Sequence, residues 1–224
     1  MVLIKPIWFY MLPIGNGKVY IVAFVTNLYM VEKLKKTDLA ELNEAYQKVL
    51  YWFFSFPAAE TGLNDLSSDL KISKTTAKRV VNSLVKEGFL VKKVYGKAWR
   101  IMCNISHPYN VAFKVPFNIS MIYRAYYEGL KDHILKIVGN AHSVILFGSY
   151  RKGDDTEESD IDIAVEVADG KEIRIVNLGV IPNLGYRKNV QINLHIFSRN
   201  KIDINLFSNI ANGFVLEGFL EVQP

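Results

Sequence analysis

One short stretch limits the folds open to this chain more than any other. Ser143–Phe147 reads as a buried strand that leads straight into Gly148-Ser149-Tyr150, and ten residues later Asp160-Ile161-Asp162 opens a second strand-like run, Ile161–Val167. Strand alternation places Asp160 and Asp162 on one face while Ile161 and Ile163 face the other way. Two carboxylates at that spacing suit a hard dication bound through oxygen. Gly148 allows close approach of the backbone to a ligand, and the amides after it can cradle phosphate at a helix start. Ser149 offers a hydroxyl to a terminal phosphate. Each half of the pattern is common alone; the two together, each on a strand, are specific.

The 224 residues suffice for one large domain or two small ones. Half of them are apolar, which excludes global disorder. Cys103 is the only cysteine, so an internal disulfide framework and multi-thiolate zinc sites are excluded. It reads as a small buried hydrophobe, and a reducing cytoplasmic compartment is expected. The longest apolar stretch, near Val19–Val31, is interrupted by Asn27. It is shorter than the roughly 20 residues that a membrane helix needs, and neither a membrane span nor a signal peptide is expected.

Charge is unevenly distributed. Residues 71–100 hold nine basic side chains against the single acid Glu87, a local +8 within a total of +5. The same region has a readable pattern. Asp38 with Glu41 suggests a capped helix whose buried stripe is Leu39, Leu42, Ala45, Tyr46, Val49, Leu50 and Phe53. A short helix is expected at about Asn64–Leu70. A longer one is expected from Lys74 to Glu87, capped by Ser73, closed at Gly88, and buried through Ala77, Val80, Val81, Leu84 and Val85. Two strands, Phe89–Val94 and Ala98–Cys103, follow. This order resembles a winged helix-turn-helix domain, which implies that the Lys74–Glu87 helix enters the major groove of duplex DNA. Its DNA-facing residues would be Lys74, Thr75, Thr76, Lys78, Arg79 and Asn82, with Lys92, Lys93, Lys97 and Arg100 on the wing neutralising phosphates. A homodimer would suit palindromic DNA. The alternative is a winged helix used only for docking.

Before this region, Asn16-Gly17 between two apolar runs predicts a β-hairpin. After it, residues 104–118 are dense in turn formers and read as a linker. An amphipathic helix at about Ile119–Val138 follows, with Ile122, Tyr126, Leu130, Ile134 and Ile137 as core positions. The expected fold is α+β: an N-terminal hairpin over 1–37, a winged helix over 38–105, and a small α/β domain with a mixed sheet over 106–224.

Phe147-Gly148-Ser149-Tyr150-Arg151-Lys152-Gly153 followed by Ser159-Asp160-Ile161-Asp162-Ile163 resembles the nucleotidyltransferase superfamily of DNA polymerase beta type, in its small minimal form. A winged helix before such a domain looks like fusions of archaeal type. The resemblance implies NTP binding with phosphate contacts at Gly148 and Ser149, and Mg²⁺ or Mn²⁺ held by the catalytic pair Asp160 and Asp162. Lys152 stands where the minimal form usually has arginine, keeping the charge but losing the bidentate fork. Active members generally supply a third carboxylate from a later strand. The strand Val190–Phe197 offers Asn193 there, or Gln191 with a shifted register, and neither is an acid. An amide weakens both metal binding and activation of the attacking hydroxyl. Three functions follow: transfer of NMP from an NTP to an acceptor, DNA-binding regulation by a nucleotide-sensing domain, or modification of a partner protein as in toxin–antitoxin modules. Asp154, Asp155, Glu157 and Glu158 read as a solvated loop. Of His142 and His195, the latter shares a strand face with Asn193. Residues 202–220 read as a short closing helix and a final apolar run.

Overall fold

The computed structural model describes residues 44–221. The predicted hairpin at 1–37 and the Asp38 cap lie outside the described residues. Helix α1 (Glu44–Ser55) buries Ala45, Val49, Leu50 and Phe53, the stripe that its three-and-four spacing predicts. Trp52 and Phe54 are buried as well. Strand β1 (Glu60–Thr61), α2 (Leu63–Asp69) and α3 (Lys74–Glu87) follow. Helix α3 has the expected bounds because its cap is local chemistry: Ser73 Oγ accepts from the Thr76 amide at 3.1 Å. Ala77, Val80, Val81 and Leu84 are buried, and Val85 is partly so.

Strands β2 (Leu90–Tyr95) and β3 (Ala98–Cys103) form an antiparallel ribbon, and β1 pairs with the other edge of β3. A two-residue strand is too short to carry a periodic signal, so β1 is legible only in the structure. Phe53, Phe54 and Phe89 are completely buried in the core beneath. Each contributes on the order of 2–3 kcal/mol through its lost apolar surface.

Residues 104–118 correct the expected linker. They contain α4 (Tyr109–Ala112) and the start of α5 (Lys114–Ala125). Pro116 is the third residue of α5, within the first turn, where a backbone N–H has no acceptor in the helix. Tyr109, Phe113 and Phe117 pack on the first core, and Phe117 stacks on Tyr51 with centroids 4.5 Å apart. The described residues 44–221 accordingly cluster as one unit.

A π-turn (Tyr126–Leu130), with Gly129 at φ 144°, joins α5 to α6 (Lys131–Val138). The extra residue shifts the helical phase. Ile122, Tyr126 and Ile134 stay buried, but Ile137, expected in the core, is 42% exposed.

The second sheet comprises β4 (Ser143–Phe147), β5 (Ile161–Glu166), β6 (Arg174–Leu184), β7 (Arg187–Phe197) and β8 (Phe214–Gly218), in the order β6-β7-β5-β4-β8. β5 and β7 run parallel and the remaining pairs antiparallel. The fold class is α+β with a mixed sheet, as expected. The predicted closing helix and apolar run are α8 (Ile204–Ala211) and β8. Val144, Leu146, Ile161, Ile163, Ile192 and Leu194 form the core with Ile122, Tyr126 and Ile134 of the helical layer. On the other face Ile145, Phe147, Ala164 and Phe197 pack with Ile210 of α8. Alternation puts Asp162 on this second face with Ala164, and Gln191, Asn193 and His195 on it with Phe197. Among the described residues no helix is long and apolar enough to cross a membrane.

Candidate active site

Strand pairing sets both carboxylates against side chains of β7. Asp160 immediately precedes β5 and Asp162 is its second residue. The parallel register sets Asp162 opposite Asn193 on β7. Asn193 Nδ2 donates to Asp160 Oδ2 at 3.2 Å, and Gln191 Nε2 reaches the same oxygen at 3.5 Å and Asn193 Oδ1 at 3.3 Å. His195 Nε2 lies 3.1 Å from Asp162 Oδ1. With its hydrogen on Nε2 the imidazole donates to the carboxylate, leaving Nδ1 buried without a partner. The ring meets Phe147 edge-on, 5.0 Å between centroids.

The glycine bend closes the other side. β4 pairs with β5 so that Phe147 faces Asp162, and the chain turns at Gly148 into the short helix α7 (Gly148–Lys152). Gly148 has φ +74°, and a Cβ there would lie 2.6 Å from Asp162 Oδ2. Only glycine leaves that oxygen its place. Ser149 is the next residue and is half-buried. Lys152 is exposed at the far end of α7. The structure therefore gathers Gly148, Asp160, Asp162, Gln191, Asn193 and His195. His142 is elsewhere: it is exposed and lines a 640 Å³ cavity with Glu166, Arg199 and Phe219.

The loop between bend and aspartates departs from expectation. Asp154 and Glu158 are exposed, but Asp155 is 2% exposed. Lys114, 1% exposed, places Nζ 3.2 Å from Asp155 Oδ1 and donates to its carbonyl at 2.6 Å. Asn118 Nδ2 donates to Asp155 Oδ1 at 2.7 Å and to the Tyr150 carbonyl at 3.1 Å. Burial pushes the Asp155 carboxyl above the usual carboxylate range, opposed by the Lys114 charge. Glu157 Oε1 accepts from the Ala58 amide at 3.1 Å, linking the loop to the segment after α1. Sequence reasoning missed Lys114 and Asn118, because they lie in the region read as a linker.

Carboxylates and amide oxygens are hard donors, of the type that Mg²⁺ and Mn²⁺ prefer. The cradle that a Gly148 Cβ would fill leaves Asp162 open to such an ion. Among the described residues no cluster of three His, Cys, Asp or Glu side chains is placed to hold a metal. A dication at Asp160 and Asp162 would complete its shell with phosphate oxygens and water, as Mg²⁺ commonly does.

Residues 129–210 match the family model of the nucleotidyltransferase domain. No curated protein matches the chain. The matched span runs from the π-turn to α8 and contains the bend, both aspartates and β7. The match supports nucleotidyl transfer in general, and a nucleotidyltransferase domain implies an NTP substrate; such domains generally use divalent metals.

Outside the span that matches the family model, the structure sorts the basic residues into separate surfaces. Lys74, Lys78 and Asn82 recur every fourth residue along one face of α3. Lys92 Nζ donates to Asn82 Oδ1 at 2.8 Å and lies 4.0 Å from the Trp99 ring centroid, while Lys78 Nζ lies 5.8 Å from it. Lys93 and Arg100 pair with each other on the opposite face of the ribbon. Arg100 is held there by Glu60 at 2.9 Å and lies over Tyr95. Lys97 follows the turn residue Gly96. The Thr76 hydroxyl is 2.8 Å from Ser73 Oγ and belongs to the cap, whereas Thr75 and Arg79 are exposed outside the Lys74 row.

Proposed function

We propose that this chain transfers a nucleoside monophosphate group from an NTP to an acceptor at Asp160 and Asp162, and that residues 44–103 act as a DNA-binding winged helix. One observation carries the first half: a Cβ on Gly148 would lie 2.6 Å from Asp162 Oδ2, so the glycine lets the bend close directly onto that carboxylate. Asp160 and Asp162 would hold Mg²⁺ or Mn²⁺, which when bound neutralises charge on the triphosphate and on the departing pyrophosphate. Ser149 offers its hydroxyl to the terminal phosphate, and Lys152 adds positive charge near the bend. His195 orients Asp162 through their hydrogen bond.

A specific contact favours a second reading. Asn193 occupies the position opposite Asp162 and donates to Asp160. An amide cannot accept the proton that an attacking hydroxyl loses. A nucleotide-sensing domain that regulates DNA binding needs no such base. Incubation with α-³²P NTPs and Mg²⁺ or Mn²⁺ separates the readings. Label transfer by wild type supports the transferase. Transfer by Asn193→Asp alone supports a sensing domain whose catalytic power has lapsed.

For the DNA-binding half, Lys78 and Lys92 share the Trp99 face. Replacing both with alanine is expected to flatten the slope of log K against log salt for duplex DNA by roughly two units, at about 0.9 per phosphate contact. Arg100→Ala is expected to change it little, because Glu60 already neutralises that guanidinium. An unchanged slope in the Lys78/Lys92 variant would remove this face from the interface.

A further inference from the structure

We infer that Arg187 is a positioning residue that sets Asp160 against the Gly148–Ser149 bend, an inference that rests on the nucleotidyl-transfer reading. Arg187 is the first residue of β7 and is 7% exposed. Its Nη1 donates to the Tyr150 hydroxyl. Its Nη2 donates to the carbonyls of Glu157 at 2.6 Å and Ser159 at 2.9 Å. Tyr150 follows Ser149 in α7, and Ser159 precedes Asp160. One planar guanidinium therefore ties together the two halves of the site, which the chain itself joins only through residues 153–159, without helix or strand.

The anchor is itself held. Gly185, in the turn before Arg187, is packed so closely that a Cβ would lie 2.8 Å from Phe117 Cζ and 2.9 Å from Ser55 Oγ. The Tyr186 amide donates to Ser55 Oγ at 3.2 Å. The hairpin turn is thus seated on α1 and α5, and Arg187 stands at its root. Among the described residues the ion pairs do not include Arg187. Its direct hydrogen bonds go to two carbonyls and a hydroxyl, and its charge also acts on the Asp155 carboxyl. A buried guanidinium is a costly brace for a loop, and its fork geometry is what lysine cannot reproduce. No group of Arg187 needs to touch the nucleotide; its effect passes through Asp160.

The test measures binding of Mn²⁺ with a non-hydrolysable ATP analogue by calorimetry, in wild type, Arg187→Lys, Asp160→Asn and the double variant. Arg187→Lys is expected to weaken binding by about tenfold, the scale seen for groups that orient metal ligands. In the Asp160→Asn background it is expected to cause no further loss, because the residue acts through that carboxylate. A brace of the fold alone would give losses that add. Should Arg187→Lys not fold by circular dichroism, Tyr150→Phe, which removes one oxygen of the clamp, is expected to show a smaller loss with the same non-additivity. Wild-type affinity in the folded variants, or additive losses, overturns the assignment to Arg187 alone. Absence of Mn²⁺-dependent binding by wild type, or no loss in Asp160→Asn, overturns the nucleotidyl-transfer reading and this inference with it.

Discussion

Replacing Asp160 and Asp162 together by asparagine is expected to weaken Mg²⁺-dependent NTP binding by about 100-fold or more. Charge neutralisation by a bound dication is worth several kcal/mol, and each 1.4 kcal/mol is a factor of ten. Asparagine keeps the size of each side chain while removing both negative charges. The neighbours limit collateral damage: Asp160 accepts from Asn193 and Gln191, and Asp162 from His195, through oxygens that an amide retains. Neither aspartate is among the fully buried polar residues, so the variant is expected to keep its fold. Isothermal titration with and without Mg²⁺ checks this. Unchanged affinity in the double variant would detach the nucleotide site from these carboxylates.

Lys114→Met is expected to destabilise the fold by about 3–5 kcal/mol at neutral pH, the usual cost of stripping one partner from a buried ion pair. That is a large share of a typical stability of roughly 5–15 kcal/mol. Lys114 and Asp155 are 1% and 2% exposed, and Lys114 is the group that most opposes the upward push of burial on the Asp155 carboxyl. Without it, the folded-state pKa rises further above the unfolded value. The stability contributed by protonated Asp155 is then full below the ordinary carboxylate range and is lost as pH rises through the folded value. The gap between variant and wild type should therefore narrow on acidification. Urea unfolding at about pH 7 and about pH 4.5 tests the sign, since that interval lies on the alkaline side of an ordinary aspartate. A gap that widened in acid would contradict it. Lys114→Met combined with Asp155→Leu should recover much of the loss, because apolar groups then replace both charges.

How much of this was legible beforehand depended on how far apart the interacting residues lie. Ser73 caps α3 from three residues away, and Asp160 and Asp162 lie two residues apart at the start of β5. These features were readable. Turn-former density places Pro116 in a linker, whereas a first helical turn tolerates proline. An unbroken helical period places Ile137 in the core, and the π-turn at Tyr126–Leu130 interrupts that period. The wing residues were grouped by charge, yet strand alternation separates Lys92 from Lys93 and Arg100.

The sequence by itself determined the helix and strand segments of residues 44–103, the glycine bend and the aspartate pair, because capping, periodicity and alternation operate over a few neighbouring residues. Only the tertiary structure decided that Asn193 stands opposite Asp162, that Asp155 is buried on Lys114, 41 residues away, and that Arg187 reaches Ser159, 28 residues away. Strand order and burial depend on which distant segments exclude water together, and no local pattern along the chain encodes that choice.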